Sequence, residues 1–300
     1  MTEDGPSGLR MAGATPDTLE ALRLDAAGAL ERGLGFVMAH GDAFAQLRAQ
    51  VILQARPVQD ATDAVAEHQS GDGSFSLLGL AAAGAPGLRE EAARGLPEAL
   101  LGSLEALVVF AELSALTHPC VEASAAYLGR IQRPDGSWGR DDDEPTDRLY
   151  ATGMLAGLLG RTRFVRTEVL EASGSFVGDL FSPERVEERD WRSLVAFGVF
   201  FTGVHHDLAD AALQWIGRAL ERGFRRRSYD ATETLQMLLQ CGAMAVPGAE
   251  LAPAELLHAV LAEQGPDGGF AELAEGGVPA RVAPTVDCLK GIIALCDSLS

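Results

Sequence analysis

One short phrase occurs three times in this chain, and its recurrence limits the fold more than any other feature. It reads QSGDGSF over residues 69–75, QRPDGSW over 132–138 and QGPDGGF over 264–270. Asp-Gly is a turn signal, because glycine accepts positive φ and the Asp side chain bonds nearby amides. Gln69, Asp72 and Phe75 therefore read as structural positions, as do Gln132, Asp135 and Trp138, and Gln264, Asp267 and Phe270. The Gln is placed to tie one helix end to the next helix, and the aromatic to plug the gap between layers. The first two copies lie 63 residues apart and the last two 132, close to two steps of 66. Such periods mark stacked supersecondary units, and a degenerate copy is expected near residue 198.

Two kinds of helix flank the phrase. Before the second copy, HPCVEASAAYLGRIQ carries Val121, Ala125, Leu128 and Ile131 at three- and four-residue steps, an amphipathic pattern with one wet side. After it, PTDRLYATGMLAGLLG is almost wholly apolar beyond Arg148 and ends at Gly160, a candidate C-cap. The third copy repeats the pairing: PAELLHAVLAEQ, with Leu256, Val260 and Leu261, precedes it, and the apolar APTVDCLKGIIALCDSL follows, with Thr285 a candidate N-cap. Alternation of the strand type is scarce. Twelve helices are expected, near 17–39, 43–55, 58–69, 97–114, 118–132, 146–160, 163–174, 188–203, 207–222, 228–242, 253–264 and 283–298. The fold class is all-α, as one domain over residues 17–300 after a flexible segment, 1–16. The alternation suits enclosed apolar helices inside amphipathic ones, and a bundle or an open solenoid would give a similar pattern.

Charge narrows the partners. The chain has 24 basic and 43 acidic residues and a net charge of −19, which disfavours a nucleic-acid or anionic-membrane surface. At 47% hydrophobic residues it can build a substantial core. No uninterrupted apolar run reaches the length of a membrane span, and the start lacks the layout of a secretory signal. Cys120, Cys241, Cys288 and Cys296 show no CxxC spacing, so no disulfide framework is expected. These features make a cytoplasmic protein the default.

The three copies resemble the QW-type repeats shared by class II terpene cyclases, the squalene-hopene cyclase group, and protein prenyltransferase β subunits. DRLYATGMLAGLLG is similar to the Asp-x-Arg-aromatic helix of the prenyltransferase repeats. The resemblance touches roughly residues 60–298. It implies an α/α toroid, an α6/α6 barrel of six inner and six outer helices around an apolar cavity for an isoprenoid chain.

For a class II cyclase the resemblance implies a DxDD motif whose middle aspartate protonates an alkene or epoxide in a dry pocket. Asp141-Asp142-Asp143-Glu144 has the opening spacing but ends in Glu. The match makes Asp143 the proton donor, with Asp141 and Glu144 in support. Asp147, Asp190, Asp230 and Asp287 stand at the starts of the apolar helices and would line one rim if those ends open on the cavity. Asp147 is then a further catalytic candidate, and Asp230 and Asp287 are candidates for binding substrate; an Asp there also suits the helix dipole. Tyr150, Trp191, Phe197, Phe200 and Phe201 are the candidate cavity liners. A diphosphate-bearing substrate would want a basic rim; Arg148, Arg161, Arg163, Arg166 and the run Arg225, Arg226, Arg227 stand out. Protonation itself requires no cofactor, and Mg²⁺ would enter only with a diphosphate.

The prenyltransferase side of the resemblance implies zinc held by Asp, Cys and His. The nearest residues are Asp287 and Cys288 with His258, His205 or His206. Adjacent residues on a helix point about 100° apart and do not readily share one metal. The zinc-dependent transferase therefore stands behind the cyclase, and a toroid that only binds a lipid or a protein is the third expectation.

Overall fold

The apolar and amphipathic segments form separate helices, and the connecting phrases lock one onto the next. The computed structural model describes residues 16–79, 95–187, 190–270 and 277–299, and these are all-α, without a β-sheet. The helices are α1 (Pro16–His40), α2 (Ala43–Ile52), α3 (Val58–Ala66), α4 (Glu98–Glu112), α5 (Pro119–Ile131), α6 (Pro145–Gly160) and α7 (Thr167–Leu180). They continue as α8 (Pro183–Glu187), α9 (Trp191–Gly203), α10 (Ala209–Arg225), α11 (Ala231–Cys241), α12 (Pro253–Ala262), α13 (Gly277–Ala280) and α14 (Val282–Asp297). Each of the twelve expected helices has its counterpart; the short α8 and α13 are additions. The flexible segment expected over 1–16 lies outside the described residues, except that Pro16 opens α1.

Burial separates the two helix classes. In α6 every residue from Arg148 to Leu159 is buried, and in α9 every residue from Ser193 to Phe201. By contrast α10 buries one stripe, Ala212, Leu213, Ile216, Gly217, Leu220 and Gly223. Successive apolar helices touch: α4 packs on α6, α6 on α9, α9 on α11, α11 on α14, and α14 on α2. Arg48 of α2 then reaches Glu112 of α4 at 2.7 Å. The long α1 packs on α14, α12 and α2.

Glycine sets the closest of these approaches. A Cβ at Gly153 would run into the backbone of Ala196, one at Gly157 into the Val199 carbonyl, and one at Gly160 into the Gly203 carbonyl. The bare backbone of α6 thus lies directly on α9.

The three phrases have one geometry. Gln69 Nε2 donates to the carbonyls of Gly73 and Cys120, Gln132 Nε2 to those of Gly136 and Val169, and Gln264 Nε2 to those of Gly268 and Ala29. The second acceptor in each case lies on an amphipathic helix, respectively α5, α7 and α1. The glycines Gly73, Gly136 and Gly268 have φ of 93°, 83° and 89°, and each presses on that same helix one turn later, at Ala123, Ala172 and Arg32. Phe75, Trp138 and Phe270 are buried between the layers. Their amides donate to hydroxyls on the following apolar helix: Ser103, Thr152 and Thr285.

Three local expectations change. Between the second and third copies run three pairs of an apolar and an amphipathic helix, α6 to α12, so the unit is about 44 residues rather than 66. Residue 198 consequently falls in the middle of α9, not in a turn. The first interval is longer because residues 76–97 intervene before α4 begins. Thr285 is not an N-cap; it lies inside α14 and its hydroxyl donates to the Arg281 carbonyl. Gly160 remains helical, pressed on α9, and Arg161 is the cap.

Candidate functional site at a buried charge cluster

Four ionised or ionisable side chains meet where α2, α4 and α14 converge. Arg48 donates through Nε and Nη2 to Glu112 Oε2, at 3.1 and 2.7 Å, and its Nη2 lies 3.5 Å from Asp287 Oδ1. Lys290, one turn after Asp287, donates to the Glu112 carbonyl at the C-terminus of α4. The side chains of Arg48, Glu112 and Asp287 are 2%, 9% and 13% exposed. Glu112 Oε1 is buried with no hydrogen-bond partner among the described residues. Beside it is a cavity of about 30 Å³, lined by Glu112, Asp287, Lys290, Gln236 and Gln240 with apolar Leu158 and Leu239. That volume holds about one or two waters.

Burial dominates the electrostatics of the cluster. Desolvation, helped by the Glu112 carboxylate, holds the Asp287 carboxyl well above its ordinary value of 3.8, against the pull of Arg48. Desolvation also lowers the Lys290 ammonium from its ordinary value. The group thus combines a carboxyl that holds its proton more tightly than usual, a guanidinium beside it, and a weakened ammonium. Such perturbed groups beside a cavity mark a candidate site for proton transfer.

The acidic stretch lies elsewhere. Asp141 pairs with Arg133 and its side chain is 99% exposed; Asp142 pairs with Arg140 at 2.9 Å. Asp143 Oδ2 accepts the Arg140 amide at 2.8 Å, and its carbonyl accepts from Arg148 Nη1 at 2.6 Å. Glu144 is the exposed N-cap residue of α6, and Asp147 is exposed in its first turn. The cavity meets α6 at Leu158, eleven residues further on, about 16 Å along the axis. Asp143 and Asp147 therefore occupy the opposite end of α6 from the cavity.

Most of the other candidates are tied into packing or capping. Phe197 and Phe201 belong to an aromatic cluster with Phe181, Phe200 and His206, at ring separations of 5.0–6.3 Å. Tyr150 is buried beneath Arg192, and Trp191 lies 5.2 Å from the Tyr229 ring. Asp230 forms a capping box with Glu233 at the start of α11. Arg225 pairs with Glu255 and Glu221, whereas Arg226 is exposed beside a second pocket.

The zinc set does not converge. Asp287 faces Arg48, while Cys288 Sγ lies 3.8 Å from Thr232 Oγ1 on α11. Desolvation raises the Cys288 thiol well above its ordinary value, the reverse of what a thiolate ligand needs. His258 is exposed on α12, and His206 packs on Phe200 and Phe201. Among the described residues no three His, Cys, Asp or Glu side chains gather as a metal site.

Sequence reasoning had Asp287 but not Lys290, one turn later on the same helix, nor Arg48 and Glu112, which lie on two other helices far away in the chain. It also missed the pattern of Arg148 and Arg281 four residues before Thr152 and Thr285. These arginines donate to Asp135 at 2.9 Å and Asp267 at 2.6 Å. That spacing is legible in DRLYAT and ARVAPT; in the first unit Ala99 replaces the arginine ahead of Ser103.

The fold has a relative of known structure. A protein from Actinoplanes matches with a TM-score of 0.57 over 90% of this chain and 99% of its own, at 12% identity. That likeness concerns the fold alone. No family model and no curated protein matches the chain.

Proposed function

We propose that this chain is an α/α toroid of the terpene cyclase and prenyltransferase kind. The inner helices would be α2, α4, α6, α9, α11 and α14, and the outer ones α1, α3, α5, α7, α10 and α12. Support for closure comes from α14 packing on α2 and from the Arg48–Glu112 pair linking α2 to α4. Gln264 adds to it, since it takes α1 as its partner helix just as Gln69 takes α5 and Gln132 takes α7.

In this reading the toroid carries an acid-initiated reaction on an isoprenoid compound, with Asp287 as the proton donor. The observation that carries it is the buried cluster of Asp287, Glu112, Arg48 and Lys290 at the cavity. Glu112 discourages ionisation of Asp287 before the substrate arrives. Once the proton has passed to an alkene carbon, Arg48 stabilises the carboxylate left behind. Asp143, the donor implied by motif position, holds a surface turn through the Arg140 amide instead. Protonation needs no cofactor, and Mg²⁺ would enter only with a diphosphate-bearing substrate. No step is assigned to zinc, because its ligand set does not converge.

Incubation with prenyl diphosphates and squalene-like polyenes tests the assignment. Asp287→Asn should abolish product formation and Asp143→Asn should leave it intact. Product formation that survives in Asp287→Asn and fails in Asp143→Asn would return the acid to the surface stretch. The second reading, a toroid that only binds, is favoured by the cavity of about 30 Å³, small beside the roughly 300 Å³ or more of ordinary ligand pockets. Absence of turnover with all these substrates would favour it.

A further inference from the structure

Lys290 is the only lysine among the chain's 24 basic residues, and it stands in the wall of the cavity beside Glu112. We propose that its amine is a covalent capture site, forming an imine with the carbonyl carbon of a short aliphatic aldehyde.

The choice of residue is the first argument. Lys290 donates to the Glu112 carbonyl at the end of α4, where a cation suits the helix dipole. Elsewhere the chain gives that duty to arginine: Arg161 donates to the Gln240 carbonyl near the end of α11 at 2.8 Å. Arginine stays charged, whereas a buried lysine can shed its proton and attack carbon. Capping accounts for a cation at this place and not for a lysine.

Placement is the second argument. Val108, Leu158 and Gln236 line the cavity as buried residues, while Ala111, Glu112, Leu239 and Lys290 keep partial exposure, which leaves a way in from solvent. A volume of about 30 Å³ admits a carbonyl group with a short chain and excludes a ring. Desolvation, with help from Arg48, lowers the ammonium from its ordinary 10.5 against the pull of Glu112 and Asp287, which favours the neutral amine. Asp287 stands one turn before Lys290 on the same face of α14 and lines the same cavity.

The step is a condensation. The neutral amine attacks the carbonyl carbon, a C–N bond forms and the carbonyl π pair moves onto oxygen. Asp287 passes the two nitrogen protons to that oxygen in turn. The oxygen leaves as water while the nitrogen lone pair closes the C=N bond.

Reductive trapping of the full chain with acetaldehyde or benzaldehyde and cyanoborohydride tests the site, with adducts located by peptide mass mapping. Each rate is taken relative to Nα-acetyl-lysine under the same conditions, which removes the difference in reactivity between the two aldehydes. Lys290 should be ethylated faster than Nα-acetyl-lysine in the folded chain, and should lose that advantage when urea unfolds it. The relative rate for benzaldehyde should be at least about tenfold lower, as a size-limited pocket requires. No adduct at Lys290, a rate no faster than that of Nα-acetyl-lysine, or equal relative rates for the two aldehydes would overturn the proposal. The adduct is read by mass with no isoprenoid present, so its outcome is separate from that of proton donation by Asp287 to an alkene.

Discussion

At Gly136 the chain uses the one residue that can meet two demands together. Its φ of 83° is disfavoured for any side chain, and the Ala172 carbonyl occupies the space where a Cβ would stand. Gly136→Ala should therefore destabilise the protein by at least about 2 kcal/mol, measured as a lower urea midpoint at unchanged slope. The nearby aspartates and Asp287 should respond to pH with opposite signs. Asp287 has its folded value raised by burial, so its contribution is fully present below the unfolded value near 3.8 and is lost as pH rises through the folded value. The stability of Asp287→Asn relative to the parent should accordingly grow with pH above about 3.8, in denaturant melts at several pH values. Asp267 is held below its ordinary value by the hydrogen bond from Arg281, so its contribution is present above 3.8 and lost as pH falls through the folded value. Asp267→Asn should lose stability relative to the parent as pH rises through that lower window.

The packing of α6 on α9 belongs to the scale of whole elements. Gly153, Gly157 and Gly160 recur at three- and four-residue steps and form a bare strip along which α9 lies. Gly157→Ala would place a methyl against the Val199 carbonyl, which cannot yield without separating the two helices. The expected loss is about 3 kcal/mol, the upper part of the range for overpacked cores. Gly35→Ala is the control: Gly35 is exposed on α1 and nothing lies within 4 Å of its added Cβ. There the substitution should stabilise by about 0.5–1 kcal/mol through helix propensity alone. Thermal melts of the two variants should move in opposite directions. The glycines were visible in the sequence, but the period of a glycine strip does not name its partner. Gly160 was read as a helix stop for that reason, since nothing in GLLG shows Gly203 lying across it.

At the scale of the whole molecule, Arg48 links α2 to α4 through Glu112 and to α14 through Asp287. Arg48→Met keeps the length of the side chain but leaves two buried carboxyl groups without their cation. It should cost about 3–5 kcal/mol, read as a lower denaturation midpoint at neutral pH. The sequence by itself determined the all-α class, twelve helix positions, their division into enclosed and half-wet sets, and the Gln and Asp-Gly hinges. All of these rest on interactions within a few turns of the chain: hydrophobic period, capping, and the positive φ of glycine. It also exposed the run DDDE, whose spacing suggested chemistry, while the fold sets it on a surface turn, with Asp141 paired to Arg133 and Asp142 to Arg140. Only the tertiary structure decided that Arg48, Glu112, Asp287 and Lys290 share one buried cluster, and that α1 receives the hinge of Gln264. The reason is sequence distance. Residues 64 and 235 positions apart carry no mutual pattern, and their meeting is set by how the apolar helices stack.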